Sequence, residues 1–211
     1  MLRILDRCKT KKAPLIGALS VVVLLAAIGV GSVVAETTCR PIKDFRWPGL
    51  EECITKARIV SRPASQKQPL WCWAASLSMI YGALGHPISQ ESIVMQNFGS
   101  LQNLSSGPFS ITVGRMNRTY KDDNGDTFTS STQQIYTMDQ AREALDDDIP
   151  LLYSTNAHAT VQTELTYQQA PGGPMVIKGG KLWDPLPTKG WRTLDPEDVR
   201  NFEAAWAISI D

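Results

Sequence analysis

Apolar positions fall into a few well-marked runs. One extends from Pro14 to Ala35, broken only by small residues. A second, Trp71-Cys72-Trp73-Ala74-Ala75-Ser76-Leu77-Ser78-Met79-Ile80-Tyr81, is apolar almost all round. A helix apolar on every side belongs in the interior, so this run predicts a buried central helix. Gly85 and Pro87 supply its stop signal. A second helix is expected from Ser89, as N-cap, through Phe98.

Beyond residue 99 the pattern turns polar. Asp123-Asn124-Gly125, between Thr119-Tyr120 and Thr127-Phe128-Thr129, predicts a β-hairpin. Thr137-Met138-Asp139-Gln140 has the form of a capping box and opens a helix ending near Leu145. Strands are expected over 150–154, 158–167, 175–184 and 204–210. In the second of these Val161 and Leu165 share one face, and His158, Gln162 and Glu164 the other. Gly179-Gly180 marks a turn or bulge in the third. Asp195-Pro196-Glu197-Asp198 starts a short capped helix. Residues 36–65, punctuated by Pro41, Pro48 and Pro63, read as an extended entry segment with a short helical turn near 50–57. Helices first and antiparallel strands afterwards predict an α+β fold, with an N-terminal helical part packed on a C-terminal antiparallel sheet.

The first apolar run has five bases before it: Arg3, Arg7, Lys9, Lys11 and Lys12. Two readings fit. One is a secretory signal peptide cut after Ala35. The other is an uncleaved signal anchor, since roughly 20 apolar residues span a bilayer, with the bases inside. Both put the rest of the chain outside the cytoplasm, secreted, periplasmic or membrane-anchored. The chain then divides into a leader at 1–35, an extended segment at 36–63 that is a candidate propeptide, and a domain at 64–211. Of 21 bases and 21 acids, the leader holds five and one, so 16 and 20 remain, a net of −4. A mildly acidic domain without a basic stripe argues against nucleic-acid binding.

Cysteine and histidine usage sharpens the picture. Cys8 lies in the leader. Cys39 and Cys53, 14 residues apart, can form a disulfide in an oxidising compartment. Cys72 is then the odd thiol. The chain has two histidines. His86 lies 14 residues past Cys72 along one helix, about 20 Å away at 1.5 Å per residue. Only His158 can come back over the helix N-terminus, where the macrodipole and free N–H groups stabilise a thiolate. A Cys-His pair there has the makings of a nucleophile with its base, expected within roughly 3 to 5 Å of each other. The histidine needs a group to orient it. Asp184, before Pro185, is the natural candidate and Asp195 the runner-up. For the oxyanion, the Cys72 N–H can be joined by a glutamine, Gln66 or Gln68.

Gln66-Lys67-Gln68-Pro69-Leu70-Trp71-Cys72-Trp73-Ala74-Ala75-Ser76 resembles the nucleophile block of papain-like cysteine peptidases, in the bacterial branch with a Trp-Cys-Trp-Ala-Ala motif. Ala157-His158-Ala159-Thr160-Val161 resembles the family's histidine block, and Leu182-Trp183-Asp184-Pro185 its acid block. The resemblance covers roughly 64–210. It implies a papain-like fold with Cys72 as nucleophile, His158 as base then acid, and Asp184 as its orienting group. It favours Gln66 as oxyanion donor. Ala157 stands where glycine is commoner in the family.

No phosphate-binding loop and no metal-ligand spacing is visible, so neither cofactor nor metal is expected. Asp122-Asp123-Asn124-Gly125-Asp126 lacks the closing Glu of a calcium loop and reads as a turn. The expected activity is hydrolysis of peptide bonds in a peptide or protein substrate. Two other readings remain: transpeptidation or amide ligation on the same residues, and a catalytically silent domain that binds peptides or a partner. Oligomeric state is not legible.

Overall fold

The computed structural model describes residues 37–57, 63–155 and 157–211. The leader and any membrane role it carries lie outside them. Among the described residues no helix is long and apolar enough to cross a membrane.

The domain begins with strands: β1 (Thr38–Pro41) and β2 (Glu51–Lys56). Then come α1 (Cys72–Ala83), α2 (Gln90–Phe98), α3 (Phe109–Met116), β3 (Arg118–Lys121), β4 (Thr127–Ile135) and α4 (Met138–Asp146). The chain closes with β5 (Leu151–Thr155), β6 (His158–Gln169), β7 (Val176–Asp184), β8 (Gly190–Thr193), α5 (Pro196–Arg200) and β9 (Phe202–Ile210). All nine strands join one antiparallel sheet in the order β1-β2-β6-β5-β9-β4-β3, with β7 on the other edge of β6 and β8 beyond it.

Five helices lie on a large curled antiparallel sheet, so the class is α+β. The expected N-terminal helical part is not what opens the domain. The helical turn expected near 50–57 is strand β2 instead, because Glu51–Lys56 pairs in register with Glu164–Gln169 of β6. Cys39 lies directly opposite Cys53 across β1 and β2, and the two are joined by a disulfide. That bond ties the β1–β2 pair together.

α1 is the interior helix. Trp73, Ala74, Leu77, Met79, Ile80 and Tyr81 are all buried, and they share a core cluster with Leu152, Ala159, Val161 and Trp206 of the sheet. A second apolar cluster lies under α4, around Leu145, Leu151, Leu165 and Leu182. With cores on both sides, β6 is covered on both faces. Its polar face is therefore not solvated: Gln162 and Glu164 are buried, and Glu164 meets Lys56 and Lys181 at 3.5 and 3.3 Å. Where β6 crosses β7 the backbones nearly touch. A Cβ on Gly180 would fall 2.2 Å from the Glu164 carbonyl oxygen, so only glycine fits there.

Local signals work as their chemistry requires. Ser89 Oγ accepts the Ser92 N–H at the start of α2, and Thr137 and Gln140 form a reciprocal capping box at α4. Asp122 Oδ1 accepts the Asn124 and Asp126 N–H groups, which makes that acidic stretch the tight turn between β3 and β4.

Candidate active site

Cys72 is the first residue of α1. Trp71 caps the helix with no side-chain hydrogen bond, and no acid sits in the first turn. The positive end of the helix is therefore left for the sulfur. His158 starts β6, at the point where the β5–β6 turn brings the chain back over α1. Asp184 ends β7, one strand position beyond the Val161–Trp183 pair.

These three side chains meet. His158 Nε2 lies 2.8 Å from Asp184 Oδ1. Cys72 lies on the other side of the imidazole, close enough for His158 and the Ala159 and Trp73 N–H groups to act on its thiol. Burial pushes the Cys72 thiol up. The His158 hydrogen bond and charge, with the two amides, outweigh it and hold the thiol below its ordinary range. Burial pulls His158 down, but Asp184 and Cys72 raise it to about 9. Asp184 is buried, which raises it. His158, the Leu186 N–H at 3.0 Å and Arg192 Nε at 3.2 Å bring it below the usual carboxylate range. The arrangement favours a thiolate beside an imidazolium.

His86 is elsewhere. It stacks on Phe128 with 4.5 Å between ring centroids and contacts Asp122 at 3.2 Å. Asp195, the runner-up to Asp184, caps α5 by accepting the Glu197 and Asp198 N–H groups. Gln68 contributes its carbonyl rather than its amide: Gln66 Nε2 donates to Gln68 O at 3.0 Å and Pro69 O at 2.7 Å. Both Gln66 amide hydrogens are thus engaged in holding the turn before α1, and its Oε1 is buried without a partner.

Neighbours of the three residues cross-tie the site. The Trp71 and Trp73 indoles donate to Gln102 O at 2.8 Å and Leu104 O at 3.1 Å, pinning the irregular segment after α2. Trp183 Nε1 donates to Ala64 O at 3.2 Å, and the Gln66 N–H to Pro185 O at 2.7 Å. The residues flanking Asp184 are so bonded to the strand of chain that leads to Cys72. Between the pinned segment and β9 a cleft of about 350 Å³ opens beside Cys72, floored by Leu152, Ala159 and Trp206, with Ser105, Gly107 and Glu203 at its sides.

Two residues of this neighbourhood carry no sequence signal. Arg192 on β8 reaches Asp184 only because β8 pairs with β7, and Glu203 reaches the β5–β6 turn only through a bulge in β9. Among the described residues, the one grouping of metal-type ligands is Cys39, Glu51 and Cys53, whose sulfurs are already bonded to each other.

A nucleophile-bearing helix packed on a curled antiparallel sheet is the architecture of the papain-like cysteine proteases. The model of the family described as papain-like cysteine protease AvrRpt2 matches residues 57–178, more than half of the chain, and the protein belongs to that family. It is a thiol-dependent hydrolase, a cysteine peptidase. The match takes in Gln66, Cys72 and His158 and ends before Asp184. No curated protein and no solved structure matches the chain.

Proposed function

We propose that the protein cleaves peptide bonds with Cys72 as nucleophile, His158 as base then acid, and Asp184 as the group that orients His158. The observation that carries this reading is His158 held at 2.8 Å from Asp184 while lying beside Cys72 at the start of α1. The thiolate attacks the scissile carbonyl, and the imidazolium protonates the leaving amine. Water then enters, and His158 takes its proton as the thioester is hydrolysed. The Cys72 N–H supplies one oxyanion donor. Gln66 supplies the second once its amide releases one of the two carbonyls it now holds. The cleft beside Cys72 receives the substrate chain. The substrate is a peptide or protein met outside the cytoplasm, where the basic leader sends the domain.

The test is incubation of the wild type, Cys72→Ala and His158→Ala proteins with a mixed peptide library, reading new peptide N-termini. New termini are expected from the wild type alone. Equal termini from wild type and Cys72→Ala would remove Cys72 from the chemistry.

A further inference from the structure

Glu203 sits where the sheet loses its register. Ser154 pairs with Ala204 and Thr155 with Phe202, so Glu203 is the extra residue of a bulge in β9. A bulge re-aims the side chain it carries. Here the carboxylate is aimed at the β5–β6 turn. Its Oε1 and Oε2 accept the Ala157 N–H at 3.0 and 3.1 Å, and Oε2 also accepts the Ser154 hydroxyl at 2.9 Å. Ala157 lies in the left-handed region, with φ 57°. A residue with a side chain stays there only when its surroundings hold it. The next residue is His158.

The start of β6 is laddered to β5 from His158 to Gln162, and on that side only before Val161. Its ladder to β7 begins only at Val161, and the Thr155–His158 pair closes the β5–β6 hairpin at the turn itself. Ala157 is the residue through which the turn hands the chain to His158, so its conformation helps set the direction in which the imidazole leaves the backbone. β9 pairs with β5 on both sides of the bulge and with β4 from Ala205 onward, which mounts the carboxylate on the sheet. A carboxylate accepting a backbone N–H makes a charge-assisted bond, roughly twice as strong as a neutral one.

We infer that Glu203 is a positioning residue for His158: its carboxylate holds the left-handed Ala157 turn from which the imidazole is delivered to Cys72. The inference rests on the Cys72–His158 reading above. It also accounts for an alanine, with its Cβ, at a positive φ. The conformation that glycine adopts freely is here secured by an acceptor on the neighbouring strand.

The experiment follows alkylation of Cys72 by iodoacetamide in the full chain as a function of pH. Only the thiolate is alkylated, so the rate near pH 6, relative to that near pH 9, reads the imidazolium contact. Glu203→Ala should lower that ratio about tenfold. Glu203→Gln should fall between it and the wild type, since its amide oxygen still accepts one bond. Ala157→Gly combined with Glu203→Ala should recover most of the loss, because glycine holds a positive φ without a steric cost. Thermal unfolding of each variant is followed in parallel. A wild-type ratio for Glu203→Ala, or for Glu203→Gln should the alanine variant not fold, overturns the inference. A double variant as impaired as Glu203→Ala does the same. His158→Ala separates the two levels: if it too matches the wild type, the Cys72–His158 reading fails, whereas if it alone is slowed, only the role of Glu203 falls.

Discussion

Arg192 donates from Nε to Asp184 Oδ2 at 3.2 Å, the oxygen opposite the one that faces His158. Its other two nitrogens bind both carboxylate oxygens of Asp198, one of them at 2.8 Å. Asp198 in turn accepts the Asp195 N–H in the capping box of α5. The acid beside His158 is thus braced by a cation, and the cation by a helix start.

Replacing Arg192 by Met should lower kcat about tenfold by loosening Asp184. It should also lower Tm by about 4 to 8 °C, taking about 2 kcal/mol for the lost charged hydrogen bonds. Asp184 is held below its unfolded value of 3.8, so its contribution to stability is present above that pH and lost on acidification. The Tm deficit of Arg192→Met should therefore shrink as the pH falls below the ordinary carboxylate range. Melting curves across acid pH check this, and a deficit that is constant with pH would contradict it.

His158 is raised from 6.5 to about 9 by Asp184 and Cys72 together once burial has been overcome. The stability this gives is complete below the unfolded value and disappears as the pH rises through about 9. Activity should follow the same limb, because the imidazolium is needed to protonate the leaving amine. Asp184→Asn keeps an oxygen to accept from Nε2 but removes the charge. Its kcat/KM profile should retain its shape, with the alkaline limb displaced to lower pH. Alanine at this position should cost far more in rate. The pH profiles of the two variants decide the matter: an alkaline limb unmoved in Asp184→Asn would mean that the charge of Asp184 does not support His158.

Gln66 offers a sharper test of what holds the oxyanion. As placed, its amide hydrogens serve the carbonyls of Gln68 and Pro69. If one is released to the tetrahedral intermediate, Gln66→Ala should lower kcat about 100-fold with little change in KM. If the amide is only a clamp on the turn, kcat should stay within about threefold while Tm falls. Steady-state kinetics beside a melting curve separates the outcomes.

Much of this molecule could be read locally, and what could not is non-local for a stated reason. α1 announced itself as an all-round apolar run, and the caps at Ser89, Thr137 and Asp195 lie within a few residues of the groups they bond. His158 could be matched to Cys72 by reach along one helix, which removed His86. By contrast, β2 has no alternation to mark it: Cys53 and Thr55 are buried, yet prolines and charges surround them. Its partner is β6, more than a hundred residues on. α3 lies in the polar stretch after residue 99 and has no side-chain cap at its start. Arg192 and Glu203 depend on strand pairing and on a bulge, which no local pattern encodes. The Gln66 assignment came from resemblance, and the structure adds that its donors are already occupied.

The N-terminal strands yield the last prediction. Read from sequence, residues 36–63 are a candidate propeptide, and a propeptide can be removed without harm to the mature fold. In the structure β2 lies between β1 and β6, bonded to β6 over Glu51–Lys56 and stapled to β1 by the Cys39–Cys53 disulfide. Removing residues up to 63 would bare the edge of β6 from Glu164 to Gln169, and bare Leu165 and Tyr167 with it, which are buried at present. An exposed edge of that length invites pairing with other chains. The 64–211 fragment should therefore aggregate or melt well below the 37–211 fragment, as size-exclusion chromatography and circular dichroism would show. Reduction of the disulfide should do part of the same damage. A closed loop of about 15 residues contributes about 3 kcal/mol, or about 6 to 12 °C in Tm for a domain of this size. The comparison is best made with Cys72 already alkylated, so that the reductant acts on the disulfide alone. A 64–211 fragment that is monomeric and as stable as the longer one would return the segment to the role of a propeptide.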